Sequence, residues 1–386
     1  MKKSVLQIIF LIIVCIVAWP LLKPKAAILF SNKGVDSYTA GDINSAVAFF
    51  KKALALKADA QLYCNLANAL RAQQKYEEAI TEFEHALKLD SACVKAHLGL
   101  AYTYEDMEKP ERSLEHFTKA QALGEPGAEE DKAKALYRYV VSLYNQAAEY
   151  YAQGDNKNAE LKFKEVVRLD PTFAFAHKTL GDIKFNRGEF AESVIDYQNA
   201  VQAGLNDASV YNIYNDIGIA YVNLEDYAQA VEYLRQANQL QPDSVDILYN
   251  LASALRDSKN FSEALEKYSL VLARNSYYPN VHNDIADIYQ QTGRPEEAKE
   301  HYQAEIAAVE AQSDQFAEPL LKTRLAFAYF GLAEYTRALS LINEVIALNP
   351  EYTRAYYTRS RIYGYIGEKD KSLSDLLKAK TIPGER

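Results

Sequence analysis

The sequence predicts an all-α solenoid, a stack of helix-turn-helix repeats. Three observations carry this. Segments such as Gly41 to Leu56, Gln74 to Leu89 and Leu224 to Leu240 align on a common period of about 34 residues, and a fixed period of that size means stacked supersecondary units. Two positions of the period are always short, and a third is always large and apolar. No unit of this kind buries its apolar face alone, so each must pack on its neighbours.

The first 26 residues are of a different material and read as an N-terminal anchor. Between Lys3 and Lys23 lie nineteen residues without a charge, residues 4–22. At about 1.5 Å per helical residue they reach roughly 28 Å, close to the hydrocarbon thickness of a bilayer. The rival reading is a cleaved signal peptide, but no small-x-small site follows, since the exit reads Ala18, Trp19, Pro20, Leu21, Leu22. The expectation is a single-pass membrane protein. Lysines flank the segment on both sides, so the positive-inside rule nearly ties; the short basic tail tips the body toward the extracytoplasmic side of a bacterial inner membrane.

Ten repeats follow, in registers beginning at residues 27, 60, 94, 140, 174, 211, 245, 279, 319 and 353. Repeats one to three fill 27–127, residues 128–139 form an insertion read as a hinge because Pro, Gly and acids gather before it, and repeats four to ten fill 140–386. Shorter insertions fall at 208–210 and 313–318. Slot eight is small throughout, from Gly34 and Ala67 to Gly181, Gly218 and Ser360. Slot twenty is small as well, from Ala46 to Ser372, so these two slots mark where the first helix of a repeat, helix A, crosses the second, helix B. Slot twenty-four carries Phe50, Phe83, Phe117, Phe163, Tyr197, Leu234, Tyr268, Tyr302, Ile342 and Leu376, which fill the space that the short residues leave. Gly41, Gly154, Gly188, Gly293 and Gly367 at slot fifteen stop helix A. Two repeats depart from the pattern: Pro110 lies just after the turn of repeat three, and Glu305 takes slot twenty-seven of repeat eight, where a small apolar residue is expected.

These slots together resemble the tetratricopeptide repeat family, over nearly everything after residue 26. The resemblance implies a right-handed superhelix of antiparallel helix pairs whose A helices line a groove for peptides or partner helices. It also implies where that groove lies, at positions 2, 5, 6, 9, 12 and 13 of each helix A. The candidate partner-binding residues are then Asn65, Asn68, Asn145, Asp182, Asn215, Asp216, Asn250, Asp284, Asp287, Arg324 and Arg361. Slot six alone reads as a broken version of the asparagine ladder of some family members, and an amide offers an extended backbone both a donor and an acceptor. The carboxylate clamp of other members is not met, because Ser31, Val35 and Gly99 stand where it needs Lys or Asn.

Composition narrows the function further. Forty-three basic against 52 acidic residues give a net charge of −9, the wrong sign for a general nucleic-acid binder. Three cysteines make neither a disulfide framework nor a four-cysteine zinc site. His97, His177 and His282 share slot four, a packing position, and no GxGxxG, GxxxxGK[ST] or HExxH motif occurs. Neither a cofactor nor an enzyme activity is expected. Residues 174–312 carry 10 basic and 21 acidic side chains, whereas 319–386 carry 11 and 7. The expectation is a tethered scaffold whose middle acids, Asp216, Asp284 and Asp287 among them, take a basic or amide-rich partner segment. A chaperone-like or secretion accessory role, holding extended clients, stays open beside it. Leu373, Leu376 and Leu377 end the array without a following helix, so self-association through repeat ten is a further expectation.

Overall fold

The computed structural model describes residues 22–205, 210–311 and 318–382. Among the described residues there are twenty helices and no strand. The first, α1, is described over 22–39. Then come α2 (Ile43–Leu56), α3 (Ala60–Ala72), α4 (Tyr76–Leu89), α5 (Val94–Asp106), α6 (Pro110–Ala122), α7 (Ala128–Ala152), α8 (Asn156–Leu169), α9 (Ala174–Asn186) and α10 (Phe190–Gln202). They are followed by α11 (Val210–Asn223), α12 (Tyr227–Leu240), α13 (Val245–Asp257), α14 (Phe261–Arg274), α15 (Val281–Gln291), α16 (Pro295–Glu310), α17 (Glu318–Gly331), α18 (Tyr335–Leu348), α19 (Thr353–Tyr365) and α20 (Lys369–Thr381). Odd-numbered helices are the A helices of the repeats, and even-numbered ones are the B helices. The chain forms two compact blocks that part between Glu149 and Tyr150, inside α7.

Each A helix ends in the same way. Slot fifteen adopts a left-handed backbone in every repeat from Gly41 (φ +82°) to Gly367 (φ +87°), and where the sequence lacks glycine the same dihedral is imposed on Gln74, Glu108, Glu225, Lys259 and Ala333. The amide of the next residue then reaches back to the last turn, as Lys75 N does to Leu70 O at 3.0 Å and Glu334 N to Tyr329 O at 2.8 Å, which closes the helix with a Schellman motif. Helix B starts on a side-chain cap in several repeats: Asp42, Asp155 and Asp226 each accept the amide three residues on at 3.1 Å.

The core repeats with the period. A Cβ placed on Gly34 would lie 2.5 Å from the Phe50 ring, and one on Gly181 would lie 2.6 Å from that of Tyr197. The short slot eight and the large slot twenty-four therefore meet in contact, as the alternation of sizes predicts. Slot twenty-four also meets the next repeat: Gly99 faces the ring of Phe83, and Gly331 that of Tyr302, each leaving no room for a methyl group. Burying a ring of this size contributes about 1.5–3 kcal/mol, once in each of the seven repeats that place Phe or Tyr at slot twenty-four.

Several expectations need correction. Pro110 does not disturb repeat three; it opens α6 as a first-turn proline, where its missing N–H costs nothing. The segment 128–139 is the first half of the continuous helix α7. The insertions at 208–210 and 313–318 lie mostly outside the described residues, as does the anchor at 4–22 except for Leu22. The membrane-bound localisation is overturned: among the described residues no helix is long and apolar enough to cross a membrane. At the end of the array Leu373 and Leu377 are each 58% exposed.

Candidate functional site

Within the second block, α13, α15, α17 and α19 stack side by side and line an open cavity of about 1100 Å³. Its lining follows the repeat register. Slot five supplies Tyr249, Asn283, Thr323 and Tyr357; slot six supplies Asp284 and Thr358; slot nine supplies Asp287, Phe327 and Arg361. These positions recur every three to four residues, so they share one face of a helix, and stacking the repeats lines those faces up. Asn280, Arg354, Arg256, Asp257 and Gln291 come from slots two, twelve and thirteen.

The charges inside are largely compensated within the chain. Arg256 pairs with Asp284 and donates from Nε to Asp257 Oδ1 at 2.8 Å. Tyr249 O–H adds a bond to Asp284 Oδ2 at 2.9 Å. Burial pushes the Asp284 carboxyl up, while Arg256 and the Tyr249 hydroxyl oppose that rise. Asp287 accepts from Arg361 Nη2 at 3.2 Å and from Gln291 Nε2 at 3.0 Å, and the Arg361 guanidinium lies 4.7 Å from the centre of the Phe327 ring. Two polar atoms of the lining are buried without a hydrogen bond: Asn283 Oδ1 and Thr353 Oγ1, on residues 3% and 2% exposed.

The remaining expected residues divide by block. Asn250 Nδ2 donates to Asn215 Oδ1 at 2.9 Å across two successive A helices, so one rung of the expected amide ladder is a bond inside the protein. Asn215 Nδ2 in turn faces Asp216 Oδ1 at 3.4 Å. Burial lifts Asp216 to about 6 despite that contact. Asp182 is held by Lys178 at 2.5 Å and by the Tyr197 hydroxyl at 3.0 Å. In the first block Asn65 accepts from Gln61 at 2.8 Å, Asn68 is half-buried on α3, and Asn145 is exposed on α7. Arg324 is not a surface residue at all. It is 1% exposed and joins the fully buried Glu305 through a 2.6 Å contact. A carboxylate sunk at slot twenty-seven needs a cation, and Arg324 of the facing A helix supplies it, so the unusual Glu305 has its partner.

Sequence reasoning passed over Asn283, Thr353, Tyr249 and Arg256. The first three do not alternate in polarity in any way that marks a site. Arg256 carries a signal in hindsight, a cation at slot twelve amid a run of acids. Two of the slot-four histidines pack against helix B, the Nδ1 atoms of His97 and His116 standing 3.2 Å apart and those of His282 and His301 3.0 Å apart, while His177 Nε2 meets the Pro171 carbonyl at 3.0 Å. Cys64 and Cys93 are free thiols with their sulfurs 3.8 Å apart.

Comparison with known proteins agrees with the repeat architecture. Models of the tetratricopeptide repeat match residues 67–107, 215–279 and 279–304. Superkiller complex protein 3 of Mus musculus is 23% identical over 53% of this chain, and the match covers 15% of its own length. The TPR repeat-containing protein MJ1428 of Methanocaldococcus jannaschii is 23% identical over 76% of this chain and half of its own. The human protein O-mannosyl-transferase TMTC3 is 22% identical over 83% of this chain and 35% of its own. The chain thus spans half or less of the curated relatives it matches. Among solved structures, a tetratricopeptide repeat protein from Parabacteroides merdae superposes with a TM-score of 0.51 at 19% identity, covering 63% of this chain and 93% of that one.

Proposed function

We propose that this chain, a tetratricopeptide repeat protein, is a scaffold or adaptor that brings other proteins together by holding segments of them against the inward faces of its A helices. Repeats of this kind mediate protein–protein interaction, and the fold is typical of scaffolds rather than enzymes. The observation that carries the reading is the cavity of the second block, lined by side chains from slots five, six and nine of successive repeats. A site with that register presents polar groups at the spacing of the stacked helices, which suits an extended segment or a helix more than a small compact ligand. The partner-binding residues are then Asp284, Asp287 and Arg361 of the expected set, with Asn215, Asp216 and Asn250 beside them. Arg324 leaves the set because it is spent in the core.

Affinity capture after in-cell crosslinking tests this reading. The full chain is compared with a variant carrying Asp287→Ala and Thr358→Ala, and with a second carrying Asn65→Ala and Asn145→Ala in the first block. A short, stoichiometric list of partners lost in the first variant supports a dedicated scaffold. A long list of unrelated unfolded proteins, kept in both variants, would favour the chaperone-like alternative and refute the assignment of the site.

A further inference from the structure

We propose that Cys64 and Cys93 form a reversible oxidation site, at which a hydroperoxide joins the two sulfurs in a disulfide that ties helix A of repeat two to the start of helix A of repeat three. The inference goes beyond the scaffold reading and stands without it.

The two sulfurs are 29 residues apart in sequence and 3.8 Å apart in space. A disulfide requires them to close by about 1.8 Å, a distance that rotation of the side chains covers. Cys64 lies within α3, 0% exposed, in the apolar core that α3 shares with its neighbours, and Cys93 packs on the edge of that core. Cys93 precedes α5 as its N-cap, its backbone is extended (φ −66°, ψ 95°) and its side chain caps no amide. The rotamer limits of a helix interior therefore do not hold its sulfur in place. Beyond their apolar core, α3 and α5 share two exposed contacts, Lys95 Nζ to Gln61 Oε1 at 2.8 Å and Arg71 Nε to Asp106 Oδ2 at 2.6 Å. Contacts of this kind add little, whereas a disulfide closes a loop that contains the whole of α4 and restrains its opening.

Their surroundings give the two cysteines different parts. Burial and the neighbouring Cys93 push the Cys64 thiol up to about 12, against the opposing charge of Lys95, so Cys64 stays protonated and inert toward an oxidant in solution. Cys93 is the half-buried member, next to the exposed Ser91 and Ala92. The Cys93 sulfur attacks one oxygen of the hydroperoxide, the O–O bond breaks, and the other oxygen leaves with the thiol's proton as water or an alcohol. Cys93 is then a sulfenic acid. The Cys64 sulfur attacks the Cys93 sulfur, the S–O bond breaks, and the departing hydroxide takes the Cys64 proton and leaves as water. Two thiols give up two electrons to one hydroperoxide, and a dithiol reverses the bond by exchange.

The test uses the full chain with Cys15→Ser, since Cys15 lies outside the described residues and is the remaining thiol. Hydrogen peroxide at one equivalent should remove both free thiols, lower the mass by two hydrogen atoms and yield a linked Cys64 and Cys93 peptide pair on non-reducing digestion. Dithiothreitol should restore both thiols. Amide exchange in α4 should slow about tenfold or more in the oxidised chain. With dimedone present, a further Cys64→Ala change should leave Cys93 trapped as the sulfenic acid adduct, and Cys93→Ala should leave Cys64 unlabelled, with circular dichroism confirming that each variant folds. The first arm changes neither cysteine of the pair and so decides the proposal even where a variant fails to fold. Two thiols surviving the peroxide, cross-links between chains in place of the internal bond, or α4 exchange unmoved by oxidation would overturn it. Equal labelling of Cys64 and Cys93 in the single-thiol variants would overturn the division of roles.

Discussion

Arg324→Met should be among the most damaging single changes in the protein. The guanidinium and the Glu305 carboxylate meet at 2.6 Å with side-chain exposures of 1% and 0%, so the variant leaves a carboxylate buried without a cation. Removing one member of a buried pair typically costs about 3–5 kcal/mol, whereas exchanging both for apolar residues of similar volume is neutral or stabilising by about 1–4 kcal/mol. Burial already pushes the Glu305 carboxyl up, and Arg324 is the group that opposes it. Without the arginine Glu305 enters the folded state protonated, and the cost should therefore grow with pH by as much as about 1.4 kcal/mol per unit. Because repeat arrays need not unfold in one step, the assay is hydrogen exchange resolved to α16 and α17, beside urea unfolding followed by circular dichroism. The double variant Glu305→Leu, Arg324→Met should recover most of the loss. A single-variant cost below about 1 kcal/mol, or a double variant no better than the single ones, would refute the claim that a buried ion pair ties these helices.

Three further outcomes follow from the same geometry. Ala333 holds φ at +62° where other repeats place glycine, so Ala333→Gly should raise stability by about 0.5–1 kcal/mol, read as a higher urea midpoint. Gly99→Ala would set a methyl group about the Phe83 ring at 2.1 Å and should cost about 1–3 kcal/mol by overpacking, relieved when Phe83 is shortened to Leu in the same chain. Burial and the nearby Lys119 pull His116 down to about 4, and burial with His301 does the same to His282, against an ordinary 6.5. The folded state then binds fewer protons than the unfolded one between those values. Stability should fall as pH drops from 6.5 to 4, and a His116→Phe, His282→Phe chain should lose less over that range than the wild type.

What was legible in the sequence was whatever the period enforces. Slots eight, twenty and twenty-four are read directly because contact between helices A and B recurs with the same partners, and Gly34 against Phe50 repeats as Gly181 against Tyr197. The slots that line the cavity were expected from the resemblance to the repeat family, which says which face of helix A turns inward. The left-handed turn at Gln74 or Ala333 was hidden, since the backbone is set by the surrounding helices and not by the residue itself. The pairing of charges was hidden for a deeper cause. A formal count sees Asp284 and Asp287 as free acids, but Arg256, on the preceding A helix, and Arg361, two repeats on, neutralise them through space. Pairing across repeats is not a property of any single register, and neither is the meeting of Glu305 with Arg324.

The central claim is that partner segments lie on the slot-five, -six and -nine face of the A helices. A scan with a photo-reactive residue placed in turn at Tyr357, Thr358, Arg361 and Gln291, and at the outward B-helix positions Glu266, Leu270 and Leu348 of the same block, tests it most directly. The account predicts that the inward positions crosslink to the same partner and the outward ones do not. Equal yields from both faces, or crosslinks confined to the B helices, would contradict it.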